Sequence, residues 1–170
     1  DILIGHLPPT MFSDYRYVMV AVITSVIVFI VAYIFRESYK KSEKTVDEVN
    51  NIFDALGLGV FTVMGAKVAI ESGFTVNGIL VVCLAVVTGV GGGLIRDVML
   101  MEIPFVLKKR IYAVASIIGG TAYHLMYIHN VNVRWASVIA VLIVFSVRIF
   151  ATAFKLDLPK VRFPKEEKSV

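Results

Sequence analysis

Residues Asp97 to Pro104 read DVMLMEIP, and the same pattern opens the chain, where Asp1 to Pro8 read DILIGHLP. Asp, three apolar residues and Pro fall in register in both copies. With a one-residue gap Tyr17 then matches Tyr112, and each opens a long apolar segment. The later copy is preceded by GVGGGLIR, Gly89 to Arg96; the earlier copy has nothing to align there, because its Asp is residue 1. The chain is therefore read as starting in the middle of a repeat.

Around this repeat the composition is that of a membrane protein. Hydrophobic residues make up 58% of the 170 and the mean hydropathy is +0.81, against roughly 45–50% apolar in a soluble domain. About 20 apolar residues cross a bilayer core as helix. Five such spans are expected, at about Tyr17–Phe35, Phe53–Ser72, Asn77–Met101, Ile111–Ile128 and Arg134–Phe154. Asn50 and Asn51 suit the cap of the second span, which would put Asp54 in its first turn, where the helix dipole favours an anion. No secretory signal pattern opens the chain. The net charge of +4 is too small and scattered to argue for nucleic acid. Cys83 stands alone, so no disulfide or thiolate metal site forms within one chain.

Connections between spans two and three, and between four and five, are only a few residues long, so those pairs are antiparallel hairpins. Basic residues concentrate on one side: Arg36, Lys40, Lys41 and Lys44 after span one, Lys108, Lys109 and Arg110 after span three, and five more from Lys155 onward. The other side has Arg16 and Arg134. This asymmetry puts the C-terminus in the cytoplasm, in the cell membrane's multi-pass arrangement. Tyr15, Tyr17, Tyr112, Tyr127 and Trp135 fall near span ends, where aromatic belts are expected.

Sidedness gives the repeat its geometry. The segment at Pro8 and Pro9 lies outside and its copy at Pro104 inside, so the two units have inverted topology and an odd number of spans each. Asp54 to Asp97 covers 43 residues, which sets three spans per unit. Two further helices are expected before Asp1, making seven in all. The expected organisation is residues 1–52 as the end of the first unit with a cytoplasmic linker, 53–129 as the second three-helix unit, 130–154 as a final membrane helix, and 155–170 as a polar cytoplasmic tail.

Thr88 to Asp97 read TGVGGGLIRD, with the glycines near the middle of span three. Each Gly inside a helix costs roughly 1 kcal/mol relative to Ala, so Gly89, Gly91, Gly92 and Gly93 are expected to break or kink the helix. A break in hydrocarbon is tolerated where it lines a water-filled cavity or is buried in protein, and such breaks mark permeation sites in inverted repeats. Gly89 and Gly93 also form a GxxxG packing pattern, and packing and pore lining can coexist. Lys67, Arg96 and Arg148 lie within the spans, each close enough to an end to snorkel. Asp97 is too short to snorkel and needs a partner, for which neighbouring Arg96 is poorly directed and an arginine of the absent half-repeat is a candidate. Glu71 is read as solvated, and His124 with Tyr127 as interfacial. Ala115 with Gly119, and Ser116 with Gly120, read as helix packing. No triad, paired carboxylate or phosphate loop is present, which argues against an enzyme.

FDALGLGVFTVMGAKVA (Phe53–Ala69), TGVGGGLIRDVML (Thr88–Leu100), the following Ile-Pro and Tyr112-Ala113 resemble the prokaryotic trimeric intracellular cation (TRIC) channel family, also classed as uncharacterised membrane proteins or glycine transporters. The resemblance implies an all-α protomer of two inverted three-helix repeats plus a final helix, in a homotrimer with a pore through each protomer for potassium or sodium and no cofactor. It matches Gly91, Gly92 and Gly93 to the kink, Arg96 and Asp97 to the charged pair after it, Asp54 to the acidic residue opening the repeat, and Lys67 to a basic residue in the same helix. Thr88 and Gly89 join these as pore-side positions, and Lys67, Arg96, Asp97 and Asp54 as gating charges. The family pore lies between two kinked helices, of which this chain supplies one. Membrane lipid is an expected partner, and the basic loops suit anionic head groups at roughly 1 kcal/mol per Lys or Arg. A small-solute transporter using the same helices, or a helix-packing scaffold, is the competing reading.

Overall fold

The computed structural model describes residues 2–5, 7–34, 43–108 and 111–154, and every regular element among them is helical. Five helices are long and apolar enough to cross a membrane. They are α1 (Tyr15–Ile34), α2 (Glu43–Ala69), α3 (Gly78–Met99), α4 (Ile111–Ile128) and α5 (Val133–Ala153). The protein is a multi-pass integral membrane protein.

Helix ends follow local chemistry. α2 continues into a wider turn, Ile70–Phe74, which stops at Gly73 with φ 92°, a conformation that glycine adopts without a Cβ clash. Asn77 then caps α3, its side chain accepting from Leu80 N at 3.1 Å. Asn132 caps α5 in the same way, accepting from Arg134 N at 3.0 Å. Both hairpins are therefore short and antiparallel, as expected. The start of α2 is not. Helix extends back to Glu43, so Asn50 and Asn51 lie inside it rather than capping it, and Asp54 is beyond the reach of the N-terminal dipole. Helical propensity of the Glu- and Lys-bearing stretch lets the turn continue upstream of the apolar span.

α2 to α5 pack as a four-helix bundle with a core of small residues. Ala66, Ala69, Val81, Ala85, Tyr123 and Ala140 form one buried cluster, and Leu58, Val90, Tyr112, Ala115 and Val144 form another. Between them the Thr62 and Ser116 hydroxyls meet at 2.6 Å, fully buried. Lipid tails are as apolar as Leu, so membrane helices associate through close backbone approach and such hydrogen bonds. The pairs expected on α4 serve that purpose: Gly119 faces Val144 and Gly120 faces Ala85. α1 differs from the other four spans in carrying no buried residue.

Candidate functional site

One end of the bundle collects most of its intramembrane charges. The apolar part of α2 begins there, α3 and α5 end there, and α4 starts there, which brings Asp54, Arg96, Asp97, Tyr112 and Arg148 to one level. Asp54 is the hub. Its Oδ1 accepts from Arg96 Nη1 at 3.2 Å and from the Tyr112 hydroxyl at 3.3 Å, and its Oδ2 accepts from Arg148 Nη2 at 3.4 Å. Arg148 Nη2 also donates to Asn51 Oδ1 at 3.3 Å. The guanidinium lies 4.6 Å from the Tyr112 ring centroid, within cation–π range. Arg96 turns back on its neighbour as well, with Nη2 at 2.9 Å and Nε at 3.0 Å from Asp97 Oδ1.

Burial ranks these groups. Arg148 is 1% exposed and Asp97 2%, whereas the Arg96 side chain is 45% exposed. Charges taken out of water need partners and hydrogen bonds to be tolerated. Arg148 is thus a fixed internal cation and Arg96 the accessible one. Four formal charges sum to zero across Asp54, Asp97, Arg96 and Arg148, as a low-dielectric site requires.

The glycine segment divides into two faces. α3 is α-helical from Gly78 to Met99, so the break expected at Gly89–Gly93 is not present. Glycine can adopt helical dihedrals, and in hydrocarbon every backbone group left unbonded costs several kcal/mol, which outweighs the propensity cost. A Cβ on Gly89 would come within 2.5 Å of Thr62 Oγ1 and 3.1 Å of Ser116 Oγ. One on Gly93 would come within 2.8 Å of the Tyr112 hydroxyl. Gly89 and Gly93 therefore act as the packing pair of the GxxxG pattern, and Gly93 leaves the room through which Tyr112 reaches Asp54. Gly91 and Gly92 meet nothing within 4 Å; they open on the other side. Thr88 lies at the edge between the faces, against Gly65 of α2.

The family description "Glycine transporter" matches residues 51–128. The UPF0126 inner membrane protein YadS of Escherichia coli K12 is 32% identical over 163 residues, covering 94% of this chain and 73% of its own length. A solved structure described as "Structural basis for conductance through TRIC cation channels" matches with a TM-score of 0.79 at 31% identity, over 96% of this chain and 75% of the other. A second, described as "Crystal structure of a prokaryotic TRIC channel in 0.5 M KCl", has a TM-score of 0.79 at 32% identity, over 93% of this chain and 75% of the other. The chain belongs to the TRIC channel family.

In this TRIC family member the residues singled out from sequence do not form one constellation. Asp54, Arg96 and Asp97 come together, and Gly93 adjoins them. Lys67 does not: it sits thirteen residues along α2 from Asp54, roughly 20 Å at 1.5 Å per residue. There Lys67 Nζ lies 3.6 Å from Glu71 Oε1, both half-exposed or more, so Glu71 is paired rather than only solvated. Arg96 is the partner of Asp97 after all. Adjacent Cα–Cβ vectors diverge, but the long guanidinium arm folds back where a one-carbon side chain would not. Arg148 does not snorkel, because Asp54 and Asn51 meet it inside the bundle. Tyr112 is 3% exposed and belongs to the cluster, not to an aromatic belt. His124 is likewise buried, at 7% exposure.

Sequence reasoning missed Arg148, Tyr112 and Asn51 as members of the site. A signal for the first existed. Arg148 and Asp54 lie in the parts of their spans nearer the same membrane face, and an intramembrane cation is most readily satisfied by an anion within reach of its side chain.

Proposed function

We propose that the protein is a cation channel for monovalent ions, potassium first, acting as a homotrimer with a pathway in each protomer. The observation that carries this reading is the likeness to structures of TRIC cation channels, at 31–32% identity and a TM-score of 0.79. The pathway runs along the unpacked face of α3, past Thr88, Gly91 and Gly92, where the two glycines leave the helix surface bare of side chain. Gly89 and Gly93 hold the opposite face to α2 and α4. Glycine's weak helix propensity makes this segment the cheapest place for α3 to bend during gating.

The charge cluster stands at one end of that pathway. Arg96, the accessible cation, ties α3 to α2 through Asp54 and is the member that moves; Arg148 is the anchor that does not. Lys67, remote from both, influences the field at the opposite end. Positive-inside asymmetry puts the cluster and the C-terminal tail on the cytoplasmic side, and the domain organisation into an inverted repeat followed by a final helix is part of the same reading.

Purified protein that includes the two helices expected before Asp1 should show unitary potassium currents in planar bilayers; their absence in that well-folded, reconstituted protein would sink the channel reading. The second reading, a small-solute secondary transporter, is favoured by the "Glycine transporter" description that matches residues 51–128. Saturable glycine uptake into proteoliposomes without unitary currents would select it instead.

A further inference from the structure

Asp54 Oδ1 serves two donors at once. Arg96 Nη1 stands 3.2 Å from it and the Tyr112 hydroxyl 3.3 Å. Charge-assisted hydrogen bonds settle at about 2.7–2.9 Å from a cationic nitrogen and about 2.5–2.7 Å from a hydroxyl, so both contacts are long. The same guanidinium reaches Asp97 Oδ1 through Nη2 at 2.9 Å, within the ordinary range. Two donors on one oxygen share its lone pairs and crowd each other. The Tyr112 hydroxyl therefore holds the Arg96–Asp54 contact below its full strength.

Tyr112 is fixed in place by contacts that do not involve this oxygen. It is buried in the cluster of Leu58, Val90, Ala115 and Val144. The Arg148 guanidinium lies 4.6 Å from its ring centroid, so a cation–π contact ties the ring to α5. On α3, Gly93 admits the hydroxyl: a Cβ there would come within 2.8 Å of it and 3.8 Å of Asp54 Oδ1. A position bare of side chain on α3 is thus filled by an α4 hydroxyl that weakens an ion pair between α2 and α3.

We propose that Tyr112 is a positioning residue for gating. Its hydroxyl, admitted by Gly93, keeps the Arg96–Asp54 tie weak enough to release, and without it Arg96 stays on Asp54 and the pathway stays shut. This rests on the reading above, in which Arg96 is the member that moves. The sign separates the role from that of a structural brace. Removing a brace would loosen Arg96; removing a competitor tightens it.

Two variants test this from opposite sides of the hydrogen bond. Tyr112→Phe removes the oxygen and keeps the ring on Arg148; Gly93→Ala keeps the oxygen and pushes it away from Asp54. The first measurement is the rate at which phenylglyoxal, which attacks guanidinium groups and is slowed by tight pairing, modifies Arg96 in the reconstituted full chain. Peptide mass spectrometry follows it, with Arg134, exposed at the other end of the bundle, as the reference. Each variant is expected to slow modification of Arg96 several-fold, and the double variant to be no slower than the slower single one. An unchanged or faster rate in Tyr112→Phe and Gly93→Ala means a brace only and overturns the proposal, as does a double variant slower than both. The second measurement is open probability in planar bilayers, on protein that includes the two helices expected before Asp1. Tyr112→Phe should lower it several-fold; a conducting Tyr112→Phe with unaltered open probability overturns the gating role. Slowed modification without unitary currents in any variant, the unaltered protein included, sinks the channel reading while the hold of Tyr112 on Arg96 stands.

Discussion

Asp54 accepts from three donors on three different helices: Arg96 on α3, Tyr112 on α4 and Arg148 on α5. Removing its charge leaves Arg148 as a buried cation with only Asn51 and the Tyr112 ring. Breaking a buried pair by deleting one partner costs about 3–5 kcal/mol, so Asp54→Asn is expected to lower the unfolding free energy of the detergent-solubilised protein by that order. Arg96→Gln removes a cation that is nearly half exposed, and about 1 kcal/mol or less is expected, as for accessible ion pairs. A double-mutant cycle checks the ranking: the coupling of Asp54 to Arg148 should exceed that of Asp54 to Arg96, and the reverse order would refute the anchor-and-latch assignment. These roles were only half legible in the sequence. Arg96, Asp97 and Asp54 stand out as charges in or beside apolar runs. Depth along its own helix lets Arg148 snorkel, but whether a cation turns outward depends on which neighbour offers a carboxylate.

At the scale of the element, α3 reconciles two readings of its glycines by assigning them to different faces. Gly92→Ala adds a methyl into open space and improves helix propensity, so the protein should gain up to about 1 kcal/mol in stability. Gly89→Ala places the methyl on the Thr62 and Ser116 hydroxyls and should lose roughly 1–3 kcal/mol, as overpacked cores do. Thermal unfolding of the two variants side by side distinguishes them, and a similar loss for both would remove the two-face account. The GxxxG spacing announced the packed face. Continuity of the helix was harder to foresee, because propensity penalises four glycines while the demand to satisfy backbone groups in lipid is invisible residue by residue. For α2 the same limit acted at its start: apolar content fixes where the membrane begins, and helix runs on from Glu43 through residues that water also tolerates.

For the molecule as a whole, hydropathy located all five spans within a few residues of their ends, except for that start. The hairpins followed from short connections; the roles of Gly73, Asn77 and Asn132 as turn and cap residues are seen only in the structure. Packing order did not follow from the sequence; that α2 to α5 form the bundle while α1 carries no buried residue is a property of the three-dimensional arrangement. The basic segments predict that a fluorescent-protein fusion at the C-terminus will be bright and an alkaline phosphatase fusion inactive, and the opposite pair of results would invert the topology. The central claim is that cations cross along the open glycine face of α3. Single-channel recording under a potassium chloride gradient, comparing the unaltered protein with Gly92→Leu at equal reconstitution, tests it most directly. The account predicts cation-selective unitary currents in the first and strongly reduced or absent currents in the second, whereas unchanged conductance in folded Gly92→Leu would contradict it.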